Sequence, residues 1–282
     1  MGKWHLIIDV ALCNNCCNCF IACKDEHVGN DYPGYAAPQP LHGHSWIQIE
    51  QKERGQVPMV DTAFLPTTCN QCAEAPCVQA GKGAVYQRED GIVIIDPEKA
   101  KGNKEIVDSC PYGSIWWNEE EQLPQKWIFD AHLLDRGWTE PRCEQVCPTG
   151  AIIAIKTSDE EMDQRAKTEN LEILLPELGT KPRIHYRNLH RFNRHFLGGT
   201  VVGLVGSKTE CLEGVSVEIF QSGDSIGFTS TDAFGEFKID ALVGKGEKYT
   251  LRLIYEGYLP LEKSIILNES TYLDELLLSA RI

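Results

Sequence analysis

The sequence predicts an α+β protein in which a cysteine-rich N-terminal domain is followed by a β-sandwich. Of the 12 cysteines, 11 precede residue 148 and only Cys211 follows it. Short apolar runs in the N-terminal part lie between turn-rich loops, whereas the last ~85 residues repeat the alternation of half-buried strands. With 282 residues, of which 42% are hydrophobic, the chain is long enough for two domains with their own cores.

The N-terminal domain is predicted over residues 1–155, with strand-like runs HLIIDVA, SWIQIE and GIVIID. A helix and basic linker are predicted over 156–196. Ser158 is followed three residues later by Glu161, which is the capping-box signal for the start of a mostly exposed helix. The stretch 181–194 then carries five basic residues and no acidic one. It forms either a solvated face or a docking surface for a partner or another domain.

The β-sandwich is predicted over residues 197–282. Apolar residues alternate at Val215, Val217 and Ile219, and again in YTLRLIY, which is the period of strands buried on one face. The turn signals SGDS, DAFGE, VGKGE and EGY separate about seven such strands. The pattern resembles transthyretin-like or carboxypeptidase-regulatory-like domains. Because it contains no evident catalytic set, we expect an interaction or stabilising module, with Cys211 as a small buried residue.

Charge and targeting signals exclude several classes of protein. The 27 basic and 41 acidic residues give a net charge of −14, which argues against broad nucleic-acid binding. No run reaches the ~18–20 apolar residues of a membrane span, and the N-terminus resembles no signal peptide. We expect a cytoplasmic protein whose clustered cysteines bind metal rather than form disulfides. A partner with its own export signal could still carry the folded complex across a membrane.

The N-terminal cysteines fall into four segments with different spacing. The first is a complete C-x2-C-x2-C-x3-C run, the second is C-x2-C-x4-C, the third is C-P and the fourth is C-x3-C-P. Thiolates at two-residue spacing on a turning loop point into one cavity, and four of them ligate a [4Fe-4S] cluster. A structural zinc site could also use two such pairs. The complete first run is more specific for iron–sulfur, so a ferredoxin-like multi-cluster domain is predicted.

Two ligand sets follow from the way ferredoxin motifs cross. In two-cluster ferredoxins the fourth cysteine of each run ligates the other cluster. The first segment is therefore expected to pair with the fourth, and the second with the third. One [4Fe-4S] cluster is expected on Cys13, Cys16, Cys19 and Cys147. A second [4Fe-4S] cluster is expected on Cys69, Cys72, Cys77 and Cys110. Cys17 lies between ligands and is expected to be a bystander.

These segments resemble the four-cluster iron–sulfur subunits of molybdopterin oxidoreductases, the dimethyl sulfoxide reductase superfamily. In that family a further C-x2-C-x2-C run precedes the last cysteine of the third segment. Here those positions are Ala100, Asn103 and Ile106, and the crossed partner is Gly81. The resemblance implies that all four ligands of one cluster are lost together while its neighbour keeps all four. Because the losses remove one cluster's ligands completely and spare those of its neighbour, they support the crossed pairing.

One further cluster position keeps some of its ligands and has others replaced. The resemblance implies that Cys23 and Cys143 belong to it, and the chain has Trp127 and Asp130 where the family has a C-x2-C pair. Because a carboxylate can ligate iron, Asp130 is a candidate third ligand. The group held there would be a [3Fe-4S] cluster or an Asp-ligated [4Fe-4S] cluster, and some relatives with Trp at a ligand position hold a three-iron cluster. Alternatively, the position holds no cluster and the two cysteines merely pack.

A closer resemblance, to the small subunits of pyrogallol–phloroglucinol transhydroxylases, spans nearly the whole chain. It rests on DYPGY, GHSWIQIE, GAVYQREDGIVIIDPEKAKG, SCPYG, WNEEE and PELGTKPRIHYRNLHRF. That family also lacks one cluster at the third segment and ends in a β-sandwich, but it keeps cysteines at the positions of Trp127 and Asp130. The departure points to a sister enzyme, with the resorcinol hydroxylase small subunit as one candidate and catechol dehydroxylases as more distant ones.

The resemblance implies an electron-transfer subunit without an active site of its own. A large partner subunit would hold a bis-molybdopterin guanine dinucleotide cofactor and would hydroxylate or transhydroxylate phenolic aromatics. If the reaction is hydroxyl transfer between phenols, net electron flow is zero and the clusters only poise the metal. Two alternatives remain: a free ferredoxin-like electron carrier that docks through its sandwich, and a zinc-stabilised interaction protein.

Overall fold

The computed structural model of the chain describes residues 2–206 and 208–281 and divides into two compact units. The first unit comprises Met1–Gln51 and Phe64–Leu189, and the second comprises Lys52–Ala63 and His190–Ile282. The second unit therefore includes a short internal segment as well as the C-terminal part of the chain. The sequence contains no signal that would have assigned residues 52–63 to it.

A three-stranded sheet lies at the centre of the first unit. The strands that begin in this unit or end in it are β1 Lys3–Asp9, β2 Ile47–Gln56, β3 Met59–Thr68, β4 Val85–Gln87, β5 Val93–Ile95, β6 Trp116–Asn118, β7 Leu123–Gln125, β8 Ile152–Thr157 and β9 Ile184–Arg187. β1 pairs antiparallel with β8 and parallel with β9. Leu6, Ile7 and Ile8 are each only 1% exposed, because β1 is the middle strand and is covered on both faces. The pairs β2–β3, β4–β5 and β6–β7 each form a two-stranded ribbon.

The helices of the first unit are mostly single turns. They are α1 Asn18–His27, α2 Pro76–Ala80, α3 Pro97–Ala100, α4 Glu105–Asp108, α5 Ala131–Leu134, α6 Arg142–Gln145 and α7 Asp159–Thr168. Helices of four or five residues are too short to be stable by themselves. Their positions must therefore be fixed by tertiary contacts, and it is beside these helices that the cysteines lie.

The segment 156–196 contains the predicted helix but is more than a linker. α7 begins with the predicted capping box, in which the Ser158 hydroxyl accepts a hydrogen bond from the Glu161 amide and the Glu161 carboxylate accepts one from the Ser158 amide, both at 3.2 Å. The segment then supplies β9 to the central sheet. Basic residues interrupt the apolar alternation of β9, so the sequence pattern did not reveal it.

Carboxylates of the chain itself neutralise most of the basic stretch 181–194. The pairs are Lys181 with Glu74, Arg183 with Asp159, Arg187 with Glu169 and Arg191 with Asp61. Each pair lies within one unit. These four basic residues therefore have acidic partners in the chain itself, a pairing that the sequence could not show.

The second unit consists of one short helix and two facing sheets. Its elements are α8 His190–Asn193, β10 His195–Val205, β11 Lys208–Cys211, β12 Ser216–Gln221, β13 Asp224–Ser230, β14 Glu236–Leu242, β15 Glu247–Ile254, β16 Leu261–Leu267 and β17 Thr271–Leu278. In one sheet β10 pairs with β17, β14 and β11, and the other has the order β13-β12-β15-β16. Alternate residues of both sheets, among them Val201, Ile219, Leu251 and Leu276, form one buried apolar cluster. The predicted alternation thus becomes two sheets around one core.

The prediction that Cys211 is buried is wrong. Cys211 is exposed, as are the other three residues of β11. β11 is an edge strand that pairs only with the end of β10. A strand with one neighbour and no cover on either face leaves a cysteine in solvent, which its sequence neighbours do not indicate.

None of the twelve cysteines, all of which lie in the described residues, forms a disulfide. In residues 2–206 and 208–281, no helix has both the length and the apolar character needed to cross a membrane.

Candidate metal centres

The first predicted set of cysteines lines one cavity. The loop before α1 carries Cys13 and Cys16, the first turn of α1 carries Cys19, and Cys147 follows α6. All four line the cavity together with Ile49, Pro66 and Ile152. Burial, with a smaller contribution from the other three thiols, raises the pKa of Cys19 to about 12. The pKa of Cys13 is likewise raised, first by burial and then by neighbouring thiols, so these two thiols need a cationic group beside them in order to ionise.

The backbone of this loop turns sharply at two positions. Asn15 and Cys17 have φ angles of 58° and 61°, in the left-handed region. Cys17 is the N-cap residue of α1, and its thiol donates to the backbone and side-chain oxygens of Asn15 at 3.5 Å. Its side chain is not among those that line the cavity. The bystander role of Cys17 remains a prediction, and this geometry is consistent with it.

The second predicted set is also brought together. Cys69 and Cys72 lie on the loop after β3, Cys77 lies in α2, and Cys110 follows α4. Burial raises the pKa of Cys72 to about 12 and that of Cys77 to about 11, and in both cases Cys69 adds to the effect. Cys69, Cys72 and Cys77 are each 8% exposed. This set is therefore more deeply buried than the first, in which Cys16 is exposed.

Two residues that the sequence did not mark as part of a site hold the Cys69–Cys72 loop. The side chain of Gln71 donates to the Trp127 carbonyl at 2.9 Å and accepts from the Val93 amide at 2.8 Å. Arg183 is 2% exposed and donates to the Gln71 carbonyl at 3.2 Å. The Arg183 guanidinium is fixed in turn by Asp159 at 3.0 Å. Buried and satisfied hydrogen bonds of this kind rigidify a ligand loop.

A buried ammonium group lies beside the second set. Lys126 is 1% exposed, and its Nζ donates to the carbonyls of Val93 and Trp127. Its charge lowers the pKa of Cys77 and of Cys110, against the larger raising effect of burial. Both of its assigned hydrogen-bond partners are neutral carbonyls. The ammonium is thus positioned to balance negative charge on the second set.

Packed side chains fill the positions at which the resemblance implies a lost cluster. Ala100 and Ile106 are 0% exposed and belong to the same apolar cluster as Cys72 and Cys77. A Cβ at Gly81 would lie 2.5 Å from the Val85 side chain and 2.8 Å from its amide nitrogen. A cysteine at Gly81 would therefore clash. The structure places Ala100 and Ile106 in one apolar core, whereas Asn103 is half-buried.

The third predicted position gathers Cys23, Cys143 and Asp130. Their exposures are 4%, 2% and 2%, respectively. Burial, and after it the Asp130 carboxylate, raises the pKa of both thiols well above the usual value. Asp130 Oδ1 lies 3.2 Å from Nε2 of His27, and Oδ2 accepts from the Arg142 amide at 2.8 Å. Both carboxylate oxygens therefore already have protein partners.

A polar network surrounds this third position. Glu26 Oε1 accepts from the Tyr32 hydroxyl at 2.6 Å and contacts His132 Nε2 at 2.9 Å, and Oε2 accepts from Arg142 at 2.5 Å. Burial would raise the pKa of Glu26, but these hydrogen bonds outweigh it and lower the pKa to about 2. The ring of His27 lies 5.4 Å from that of His132. Sequence reasoning missed this network because its members come from three separate segments.

The first two sets of cysteines suit a cluster rather than a single metal ion. The first two sets each offer four thiols, which is the complement of a [4Fe-4S] cluster. Over residues 2–206 and 208–281, no three or more His, Cys, Asp or Glu side chains converge closely enough to hold a single metal ion.

Comparisons with known proteins agree with these features. Residues 60–156 match the family described as a 4Fe-4S dicluster domain. The chain is 46% identical over 260 residues to the pyrogallol hydroxytransferase small subunit of Pelobacter acidigallici, covering 91% of this chain and 92% of the relative. It is 30% identical to a sulfite dehydrogenase subunit of Allochromatium vinosum, covering 69% and 87%. It is also 30% identical to a tetrathionate reductase subunit of Salmonella typhimurium, covering 66% and 73%.

Proposed function

Because this chain belongs to the family of iron–sulfur small subunits that includes the pyrogallol hydroxytransferase small subunit, we propose that it serves a molybdenum enzyme that acts on phenolic aromatics. The enzyme hydroxylates or transhydroxylates its substrate on a large partner subunit, which holds bis-molybdopterin guanine dinucleotide. The present chain transfers electrons and carries no catalytic residue. The observation that carries the proposal is the gathering of eight cysteines from four segments into two sets of four.

Each set of four cysteines binds one [4Fe-4S] cluster. The first is held by Cys13, Cys16, Cys19 and Cys147, and the second by Cys69, Cys72, Cys77 and Cys110. A bound cluster supplies one-electron transfer. The chain contributes ligand position, burial and nearby charge, which are the properties that set a cluster's reduction potential. The second set has the buried Lys126 beside it, so we expect different potentials at the two sites.

We infer the phenolic substrate class from the relative that matches this chain over the greatest length of the three. The relative that shares 46% identity over nearly its full length is named for pyrogallol. The other two relatives act in sulfur chemistry according to their names and are 30% identical. All three are named as subunits, which does not favour the alternative of a free electron carrier.

The C-terminal sheets have a supporting role in this proposal. Their alternation and turns resemble transthyretin-like domains, and we assign them an interaction or stabilising function. We place the protein in the cytoplasm, where thiols stay reduced and available to iron.

Purification of the native complex tests the assignment of the partner. The chain should co-purify anaerobically, at one copy per partner, with a much larger subunit that contains molybdenum. Metal analysis of that complex by mass spectrometry should give both molybdenum and iron. Recovery of the chain alone, with no stoichiometric partner, would overturn the proposal.

Variants of the first set test the ligands. Cys147→Ala should lower the iron content by about four atoms per chain, because it removes one ligand of a four-iron cluster. Cys211→Ala is the matched control, because Cys211 is exposed on an edge strand of the other unit. Zinc without iron or acid-labile sulfide would instead indicate the zinc-stabilised interaction protein.

A further inference from the structure

We propose that the third position holds no cluster, and that a buried hydrogen-bonded carboxylate replaces the cluster as the link between its segments. The inference rests on the proposed function, since it concerns the number of clusters that the electron-transfer chain contains. It chooses between the alternatives that the sequence left open for Cys23, Cys143 and Asp130.

The donor set at this position falls short of the four ligands of a [4Fe-4S] cluster, and it would supply three ligands for a three-iron cluster only if Asp130 bound iron. A [4Fe-4S] cluster takes four ligands, as in the first two sets. Here only Cys23 and Cys143 are thiols, and Trp127 offers an indole, which donates but does not accept. Trp127 is 0% exposed, and its ring packs 4.7 Å from that of Phe129. It therefore occupies apolar core rather than a ligand position.

The remaining candidate ligand is already committed to the protein. Asp130 is 2% exposed, and a buried carboxylate must be compensated by hydrogen bonds or charge. Its two oxygens meet His27 on α1 at 3.2 Å and the amide of Arg142, the first residue of α6, at 2.8 Å. Iron bound to Asp130 would have to share these oxygens with His27 and Arg142, which would weaken the hydrogen bonds that compensate the buried carboxylate.

These hydrogen bonds join the segments that a cluster would join. α1 carries Cys23, α6 carries Cys143, and Asp130 is the residue from which α5 starts. Asp130 has a φ of 50°, so its backbone adopts the left-handed region that non-glycine residues rarely use. The side chain is thus aimed between the two cysteine-bearing helices. A cluster ligated by these segments would perform the same cross-linking, which explains how the fold tolerates its loss.

The surrounding network supports a structural role for the Asp130 side chain. Glu26, next to His27 in the chain, pairs with His132 and Arg142, and the His27 ring also packs 4.6 Å from Trp46. The position is therefore continuous with a polar core in which both carboxylates, Glu26 and Asp130, have protein partners, while His27 Nδ1, His132 Nδ1 and Arg142 Nε have none. Because residues from three separate segments of the chain form this network, it serves to hold those segments together.

Iron and sulfide analysis of the full chain, purified anaerobically with its partner and corrected for iron in the partner, tests the inference. We expect about 8 iron and about 8 sulfide per copy of the chain, the content of two four-iron clusters. A content of about 11–12 iron would overturn the inference and leave the proposed function intact. A content near zero would defeat the proposed function itself, so the two failures are distinguishable.

A variant pair gives a second and independent test. The Cys23→Ala, Cys143→Ala double variant should keep the wild-type iron content, whereas Cys19→Ala, on the same helix, should lose about four iron atoms. Loss of three or four iron atoms from a folded double variant would overturn the inference. EPR of the anaerobic wild type covers the case of a variant that does not fold: a stoichiometric three-iron signal would overturn the inference, and its absence supports it.

Discussion

Lys126 places a positive charge inside the first unit, beside the second set of cysteines. A buried ammonium is costly unless it meets negative charge, and its assigned hydrogen-bond partners are two carbonyls. The thiolates of a bound cluster would supply the missing negative charge. Lys126 is therefore expected to act on the potential of one cluster rather than on both.

Replacing Lys126 by Met should lower the reduction potential of the second cluster by at least roughly 60 mV, a tenfold change for one electron. Without the buried cation, the added electron is less stabilised. EPR-monitored redox titration measures both clusters in one sample. Lys99→Met is the control, because Lys99 is exposed and pairs with Asp96 at the surface. An equal shift in both clusters, or none in the second, would contradict this role.

Cys16 and Cys17 are neighbours with different predicted roles. Cys16 lines the first cavity, whereas the Cys17 thiol turns back to Asn15. Cys16→Ala should lose about four iron atoms per chain, and Cys17→Ala should lose none. Iron analysis and visible absorption of the two variants, purified side by side, measure this. If both variants lost the same amount of iron, the assignment of ligands in the first segment would be wrong.

The tip of the β2–β3 hairpin is held within the second unit by ion pairs. Arg54, which is 5% exposed, contacts Asp61 at 2.6 Å and Asp240 at 2.7 Å. Asp61 also contacts Arg191 at 2.6 Å and Lys238 at 3.2 Å. Burial would raise the pKa of Asp61, but these partners outweigh it and lower the pKa to about 2. A carboxylate with this many basic partners joins three segments of the unit.

Asp61→Asn should lower the free energy of unfolding by about 3 kcal/mol, because Arg191 loses its acidic partner while Arg54 and Lys238 keep only Asp240. The wild-type contribution is complete above the unfolded pKa of about 4 and is lost only as pH falls toward 2. The destabilisation should therefore be the same at pH 5 and pH 8, as measured by urea unfolding followed by circular dichroism. Glu262→Gln, in an exposed pair with Arg252, should cost no more than about 1 kcal/mol. A penalty for Asp61→Asn that disappeared at pH 5 would contradict the assigned pKa.

Across the whole molecule, the two units should differ in their dependence on iron. The short helices of the first unit are tied together at the cysteine sets, while the second unit has a continuous apolar core and contains none of the predicted ligands. Anaerobic chelation should therefore remove amide protection from residues 69–147 and leave that of residues 208–281 largely unchanged. Hydrogen exchange with mass spectrometry resolves the two regions. Equal loss in both would show that folding of the second unit also requires iron.

The sequence predicted those features that depend on local spacing. Two-residue cysteine spacing predicted cluster loops, Ser158 and Glu161 predicted the start of α7, and alternation predicted the strands of the second unit. The crossing rule named two ligand sets, whose members the structure brings together, although their roles as ligands remain a prediction. The burial of Cys211 was predicted wrongly, because burial of a strand depends on how many neighbours it has.

The amino-acid sequence by itself determined the iron–sulfur family, the spacing of the cysteine loops and the presence of a β-rich C-terminal part, because each is encoded by spacing over a few residues. Only the tertiary structure assigned the hairpin tip to the second unit, placed Lys126 beside the second set and gave Asp130 the partners His27 and Arg142. These contacts join residues that are far apart in the chain, and a buried charge is stable only where such distant partners meet it.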